Sequence, residues 1–198
     1  MSPARHEYND RHWMYFLSLE DDLRILAQYV ELTSDNMKVY SIECSRLILA
    51  ASAEVEVVMK QVARSCGKGD PKNLGHTCRR TIVKRYPDLS NYTASLPRYG
   101  LTYTPWETWP SKQPQWWIGY NNVKHHRDEY FARASLQNVL NALAALFVTA
   151  LIYLREKGID IIMPASVLFR PDERLGAYCI SPEGHLIDMR SQTPTSTS

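Results

Sequence analysis

The amino-acid sequence predicts an all-α protein: an antiparallel bundle of four to five helices with a small β-containing appendage at its C-terminal end. Two amphipathic stretches in the first third of the chain and one uncharged stretch between residues 134 and 154 support this prediction. The 198 residues, of which 44% are hydrophobic, are sufficient for one globular domain with a substantial core. The formal net charge of +2 by itself indicates no class of binding partner.

The first amphipathic stretch covers residues 12–32. Its apolar side chains recur at steps of three and four residues, which is the spacing of one helix face. This apolar stripe consists of Phe16, Leu19, Leu23, Leu26 and Val30. We therefore predict that the stretch forms the first helix of the bundle.

The second amphipathic stretch, residues 35–65, predicts a long second helix. Its apolar stripe consists of Cys44, Leu47, Ile48, Ala51, Val55, Val58 and Val62. Asp35 is a residue type that caps helix N-termini, and the following Gly67 and Gly69 supply a common helix stop.

The only concentration of positive charge lies between residues 68 and 86. Its basic residues include Arg79, Arg80, Lys84 and Arg85. Such a segment is suited to binding along the phosphate backbone of RNA. It is more typical of an ordinary solvated helix face, because charge blocks have many uses.

Residues 87–115 are rich in proline and aromatic residues. The prolines break helices, while the tyrosines and tryptophans favour burial, so we expect an ordered loop that lies on the bundle. Such a loop covers a hydrophobic seam, or it walls a pocket or a partner surface. If Trp106 and Trp109 are exposed together, the protein is instead an interaction scaffold that binds through this loop.

The uncharged stretch, residues 134–154, raises the question of a membrane span. Polar residues interrupt it and leave too short an apolar run, so it predicts a buried core helix and no membrane association. These considerations define a helical domain at 1–157. We expect a C-terminal extension at 158–190 with a β-hairpin, and a disordered Ser/Thr-rich tail at 191–198. Four widely spaced cysteines and no secretory signal pattern favour the reducing cytoplasm.

The candidate site lies in the stretch WWIGYNNVKHHRDEYF at 116–131. If residues 114–126 are helical, Trp117, Asn121 and His125 share one face, with Lys124 beside them. The His, Cys and acidic residues match no metal-binding spacing, and the chain contains no nucleotide-binding or hydrolase motif, so we expect no metal or cofactor. Metal-independent phosphodiester chemistry remains, because imidazole transfers protons near neutral pH and cations stabilise phosphate charge.

The predicted order of helices, with YNNVKH placed before the last long helix, resembles the HEPN superfamily of helical-bundle proteins. Many members are metal-independent ribonucleases whose motif is an Arg followed after four to six residues by a His, often with Asn directly after the Arg. Asn121 matches that Asn and His125 matches that His. Tyr120 occupies the position of the Arg, with Arg127 downstream as a substitute. The resemblance covers residues 12–157.

The resemblance implies a homodimer in which two copies of the motif form one composite cleft. In such a ribonuclease the RNA 2′-hydroxyl attacks the adjacent phosphate. His125 would transfer the proton, Lys124 or Arg127 would stabilise the phosphate, and Asn121 would orient it by a hydrogen bond. The resemblance also implies a role in bacterial defence, toxin action or stress control, with an antitoxin or other protein as a partner.

The alternative is a non-catalytic HEPN-like dimeric module that binds RNA, a nucleotide or a protein partner. Tyr120 favours it, because a phenol does not replace the charged fork of a guanidinium. Two further residues have open roles. Glu54 either stays solvated at the edge of the second helix or pairs with Lys124 or His125, and Trp117 is either a core anchor or a base-stacking surface.

Overall fold

The computed structural model describes residues 10–67, 69–159, 161–175, 178–180 and 186–188. The predicted tail at 191–198 lies outside the described residues. The described part is mostly helical, with a small three-stranded antiparallel sheet. Its α-helices are α1 (Arg11–Leu26), α2 (Ile42–Ser65), α3 (His76–Arg85), α4 (Gln115–His125), α5 (Arg127–Tyr130) and α6 (Leu136–Glu156).

Helix α6 lies at the centre of the packing. Nearly every residue from Val139 to Leu154 is buried, and α6 contacts α1, α2 and α4, with α2 as its main partner. By length and composition α6 resembles a membrane span, but 83% of its most apolar window is buried inside the fold. This is the arrangement of a core helix in a soluble protein.

Helices α1 and α2 cover α6 with the predicted apolar stripes, but both helices are shorter than predicted. Helix α1 ends at Leu26, so Val30 lies beyond it and is only partly buried. Helix α2 is capped by Ser41, whose Oγ accepts a hydrogen bond from Cys44 N at 3.0 Å. The predicted cap was wrong, since Asp35 lies in a separate 3-10 turn at Ser34–Asn36.

The reason for the later start of α2 is a tertiary contact. The backbone amides of Leu136 and Gln137, in the first turn of α6, donate to the carbonyl oxygens of Val39 and Met37 at 2.8 and 3.0 Å. These amides have no partner within their own helix. The segment before α2 therefore does not join that α-helix and instead caps α6. Capping rules that consider only neighbouring residues do not predict this contact.

The segment 87–115 contains two strands, where the sequence predicted a loop without regular structure. Strands β1 (Ala94–Leu96) and β2 (Leu101–Tyr103) pair antiparallel across a turn that ends at Gly100, whose φ of 63° suits glycine. The predicted burial of the aromatic residues is confirmed for Trp106 and Trp109, which are 0% and 4% exposed. They do not form an exposed binding patch.

Several residues between 161 and 175, beyond the predicted boundary at 157, pack into the same core as the helices. Strand β3 (Arg170–Pro171) extends the sheet by pairing with β1. Phe169 is fully buried, with its ring centroid 5.7 Å from that of Phe16 and 5.6 Å from that of Phe147. Beyond it, β4 (Tyr178–Ile180) and β5 (Leu186–Asp188) pair antiparallel.

A buried carboxylate fixes this C-terminal segment to α1. Glu20 is only 2% exposed and accepts hydrogen bonds from the Ser166 hydroxyl and from the backbone amides of Val167 and Leu168, at 3.0 and 2.9 Å for the two amides. The turn at 166–169 would otherwise bury its amide donors without acceptors. Glu20 therefore joins two segments that are 146 residues apart.

Replacing Glu20 by Ala should destabilise the protein by about 2–4 kcal/mol, because buried donors then lose their acceptor. Urea denaturation measures the change. Asp21→Ala is the matched control, because Asp21 pairs with Arg24 on the exposed surface and such pairs contribute at most about 1 kcal/mol. Equal stability losses in the two variants would contradict the proposed role of Glu20.

Asp172 gives the fold a predictable pH dependence. Its carboxylate accepts hydrogen bonds from Arg174 Nε at 2.7 Å and from Thr93 N at 3.2 Å, and the Arg174 guanidinium lowers the pKa of Asp172 to about 2. The folded-state pKa lies below the ordinary value of 3.8. The stabilisation is therefore complete above about pH 4 and disappears as the pH falls through 2.

Replacing Asp172 by Asn should lower the melting temperature at pH 7, with a loss of roughly 1–2 kcal/mol. The difference from the native protein should shrink below pH 4, because the Asp172 carboxyl group then becomes protonated in the unfolded chain but stays charged in the folded protein until about pH 2. Thermal melts at pH 7, 4 and 2.5 measure this. A difference that stays constant over this range would show that the charge of Asp172 does not contribute.

Candidate functional site

Helix α4 presents the predicted site residues at its C-terminal end. Its buried face consists of Trp116, Gly119, Tyr120 and Val123. Asn121 and Trp117 are half-buried, whereas Lys124 and His125 are exposed. The stretch is thus amphipathic, and its polar residues lie on the solvent side.

A row of aromatic rings anchors the start of α4. The ring centroid of Trp116 lies 5.4 Å from that of Trp106 and 5.2 Å from that of Trp117, and Trp116 Nε1 donates to Pro105 O at 2.9 Å. The row continues from Trp117 to Tyr120 at 5.5 Å. Trp117 therefore serves as a packing anchor. Through Pro105 and Trp106, the segment 87–115 packs against α4, the helix that carries the site.

Tyr120, at the position of the HEPN arginine, belongs to the core. It is 3% exposed, and Lys124 Nζ lies 5.3 Å from its ring centroid. A cation at this distance from an aromatic face is attracted to it. The position thus contributes no positive charge to the surface, and Lys124 is the cation held beside it.

The chain bends between His125 and Arg127. His126 ends α4 with φ −142° and ψ 47°, and Arg127 begins the short helix α5. Helical spacing therefore does not apply across the bend, and Arg127 does not continue the α4 face. The His125 and His126 rings lie 6.4 Å apart, and both residues are exposed.

The polar side chains of this end of α4 are available to a ligand. Within the part of the chain that the structure describes, the side chains of Asn121, His125 and Arg127 form no hydrogen bond or ion pair. Lys124 has only its contact with Tyr120. We call these four residues the α4 strip: Asn121, Lys124, His125 and Arg127.

Glu54 does not join the α4 strip. Its Oε1 lies 2.5 Å from Nδ1 of His12, and the His12 ring packs edge-on against Tyr153 at 5.1 Å between centroids. The pair links α1, α2 and α6. Sequence reasoning missed His12, because 42 residues separate it from Glu54 and no local spacing relates the two.

The four predicted RNA-binding residues on α3 fall into two groups by their surroundings. Arg79, Arg80 and Lys84 line a groove of about 550 Å³. Arg85 points elsewhere, with Nη2 at 3.2 Å from Glu156 Oε1 and its guanidinium 5.3 Å from the Tyr86 ring centroid. Its charge is already paired.

Metal ligation finds no support in the described ranges. No group of three or more His, Cys, Asp or Glu side chains among these residues is arranged to hold a metal ion. The chemistry available at the α4 strip is therefore proton transfer by imidazole, charge stabilisation by Lys124 or Arg127, and hydrogen bonding by the Asn121 amide.

No protein-family model, curated protein or solved structure significantly matches this chain. The resemblance to HEPN proteins therefore remains a prediction from the residues of α4 and the order of the helices.

A close contact between α4 and the start of α6 positions the α4 strip. A Cβ added at Gly119 would lie 2.6 Å from Nδ2 of Asn138 and 3.4 Å from the carbonyl oxygen of Arg133. Asn138 Nδ2 is itself fixed by donating to Arg133 O at 2.9 Å. Only glycine fits at this point without displacing the hydrogen bond.

Gly119→Ala should therefore destabilise the protein by about 1–3 kcal/mol, although alanine favours a helix interior by about 1 kcal/mol. The reason is the clash with the Asn138 amide, so the control is a double-mutant cycle with Asn138→Ala. Chemical denaturation of the four proteins gives the coupling energy. We expect the double variant to be more stable than the sum of the single changes implies. Strict additivity would rule out the clash.

Proposed function

We propose that the protein is a metal-independent endoribonuclease of HEPN type, a helical bundle that acts in bacterial defence, toxin action or stress control. One observation carries the proposal: an exposed His125 lies at the end of α4 together with Asn121 and Lys124. Among the described residues, none forms a hydrogen bond or ion pair with the side chain of Asn121 or His125. Transesterification of a phosphodiester needs proton transfer and stabilisation of charge on the phosphate, which an imidazole and an ammonium group supply, while an amide orients the phosphate by a hydrogen bond.

In the proposed reaction the RNA supplies its own nucleophile. The 2′-hydroxyl oxygen forms a bond to the adjacent phosphorus while the bond from phosphorus to the 5′-oxygen breaks. His125 removes the proton of the 2′-hydroxyl, Lys124 or Arg127 offsets the charge that develops on the phosphate, and Asn121 orients a phosphate oxygen. The products are a 2′,3′-cyclic phosphate and a 5′-hydroxyl.

The departing 5′-oxygen needs a proton from a second group. A two-fold dimer that brings two α4 strips together would supply it from the second copy of His125. A homodimer is therefore part of the proposal, and light scattering at micromolar concentration tests it. A monomer, or a dimer with the two strips on opposite faces, would leave the reaction without its acid.

The second candidate function is a non-catalytic dimeric module that binds RNA, a nucleotide or a protein partner such as an antitoxin. Burial of Tyr120 favours it, because the family's arginine position then contributes no guanidinium to the phosphate. Under either function we place the protein in the cytoplasm, where its RNA or protein partners are found.

His125→Ala should reduce RNA cleavage by about 10²- to 10⁴-fold, because it removes the proton-transfer group. Gel analysis of a labelled single-stranded RNA measures the rate, and digestion of the ends identifies the cyclic phosphate. Chelators should have no effect, since the sequence offers no metal-ligand spacing. The variant should melt like the native protein, because His125 is exposed.

The matched control is His126→Ala, which removes the neighbouring exposed imidazole. We expect it to cleave at a rate near that of the native protein. If purified native protein shows no cleavage that His125→Ala removes, the ribonuclease proposal is wrong. Binding of RNA or a nucleotide under the same conditions would then support the non-catalytic module.

A further inference from the structure

The groove on α3 concentrates unpaired positive charge. Arg80 and Lys84 are exposed and Arg79 is half-buried, and all three line the groove together with Thr77 and Pro110. Among the residues that the structure describes, no carboxylate pairs with any of these three cations. Their charge is therefore available to a ligand.

Several other basic residues of the protein are paired with carboxylates. Arg46 Nη2 lies 2.6 Å from both Asp22 and Glu43, Lys60 pairs with Glu56 at 2.7 Å, and Arg85 on α3 itself pairs with Glu156. Lys84 and Arg85 are adjacent in sequence, but only Arg85 is paired with a carboxylate. Among the described residues, the groove side of α3 therefore carries three unpaired cations: Arg79, Arg80 and Lys84.

The spacing of the cations suits two phosphate groups. Lys84 follows Arg80 by four residues and Arg79 by five, which places its backbone roughly 6–7.5 Å further along the helix axis at 1.5 Å per residue. Two guanidinium groups and one ammonium group thus line the same groove from successive turns of α3. Arginine binds phosphate oxygens in a bidentate manner, and lysine binds them as a point charge.

The groove also has the size and the walls of a ligand site. Its volume of about 550 Å³ falls in the range of small-molecule sites. Val83 and Pro110 supply apolar surface, and Thr77 and Thr81 also line the groove. A ligand that carries phosphates next to an apolar base or sugar would match both parts.

We propose that this groove binds two adjacent phosphate groups of a nucleotide compound, either consecutive phosphates of a polynucleotide strand or a nucleoside diphosphate. The inference does not depend on cleavage at His125. If the ligand is RNA, the groove would be a second binding surface for the substrate, separate from the α4 strip.

The experiment compares binding to two probes by Arg80→Gln/Lys84→Gln and by the native protein. One probe is a fluorescent 2′-O-methyl oligonucleotide, which cannot be cleaved through its 2′ position, and the other is ADP. We expect the double variant to lose at least tenfold in affinity for the probe that binds. For the oligonucleotide, the slope of log K against log salt should fall by about 1–1.5, as expected for two lost phosphate contacts.

The matched control is Arg85→Gln, which removes an exposed cation from the same helix. Each substitution, in the control and in the double variant, removes one positive charge. It should change affinity by less than twofold, because Arg85 is already paired with Glu156. Circular dichroism and melting temperature verify that the variants are folded. The 2′-O-methyl oligonucleotide cannot be cleaved through its 2′ position, so this binding result does not depend on cleavage and remains valid if the cleavage proposal fails.

If the native protein binds ADP and the double variant does not, the ligand is a nucleoside diphosphate. Binding of the oligonucleotide alone would identify a polynucleotide strand. The proposal is overturned if neither probe binds at millimolar concentration or if the double variant binds like the native protein. It is also overturned if Arg85→Gln loses as much affinity as the double variant, since charge alone would then explain binding.

Discussion

The burial of the apolar part of α6, from Val139 to Leu154, is the constraint on which the rest of the structure depends. A helix that is apolar on every side is stable in water only if other elements cover it on every side. Helices α1, α2 and α4, the strands β1 and β2, and the segment at 161–175 share this task. Helix α4 covers α6 with its buried face and ends in the polar residues Lys124 and His125, which are exposed to solvent.

Much of this cover follows from the sequence. The stripes of α1 and α2 and the uncharged run of α6 were predictable, because apolar residues at helical spacing must face a core. The start of α2 and the integration of residues 161–175 were not. Both depend on distant partners: the carbonyl oxygens of Met37 and Val39 cap α6, and Glu20 binds the turn at 166–169. Local rules of capping and composition do not contain such contacts.

The candidate site was predictable to a similar extent. Helical spacing placed Asn121 and His125 together, and both lie on the accessible side of α4. Spacing did not separate Arg85 from Arg79 and Arg80, because only the position of Glu156 on α6 draws Arg85 away. Nor did it show that Glu54 pairs with His12, or that Tyr120 is covered by Trp117 and Lys124. Electrostatic pairing is a property of the assembled fold.

The most direct test of the account is an NMR titration of the histidine imidazoles with a non-cleavable RNA analogue. We expect the ring resonances of His125 to shift as the analogue binds, because a phosphate beside the α4 strip changes the environment of this imidazole. His12 serves as the internal reference, since its ring is held between Glu54 and Tyr153 and should not respond. Saturating binding of the analogue, verified by anisotropy, with no change at His125 would contradict the assignment of the α4 strip as the functional site.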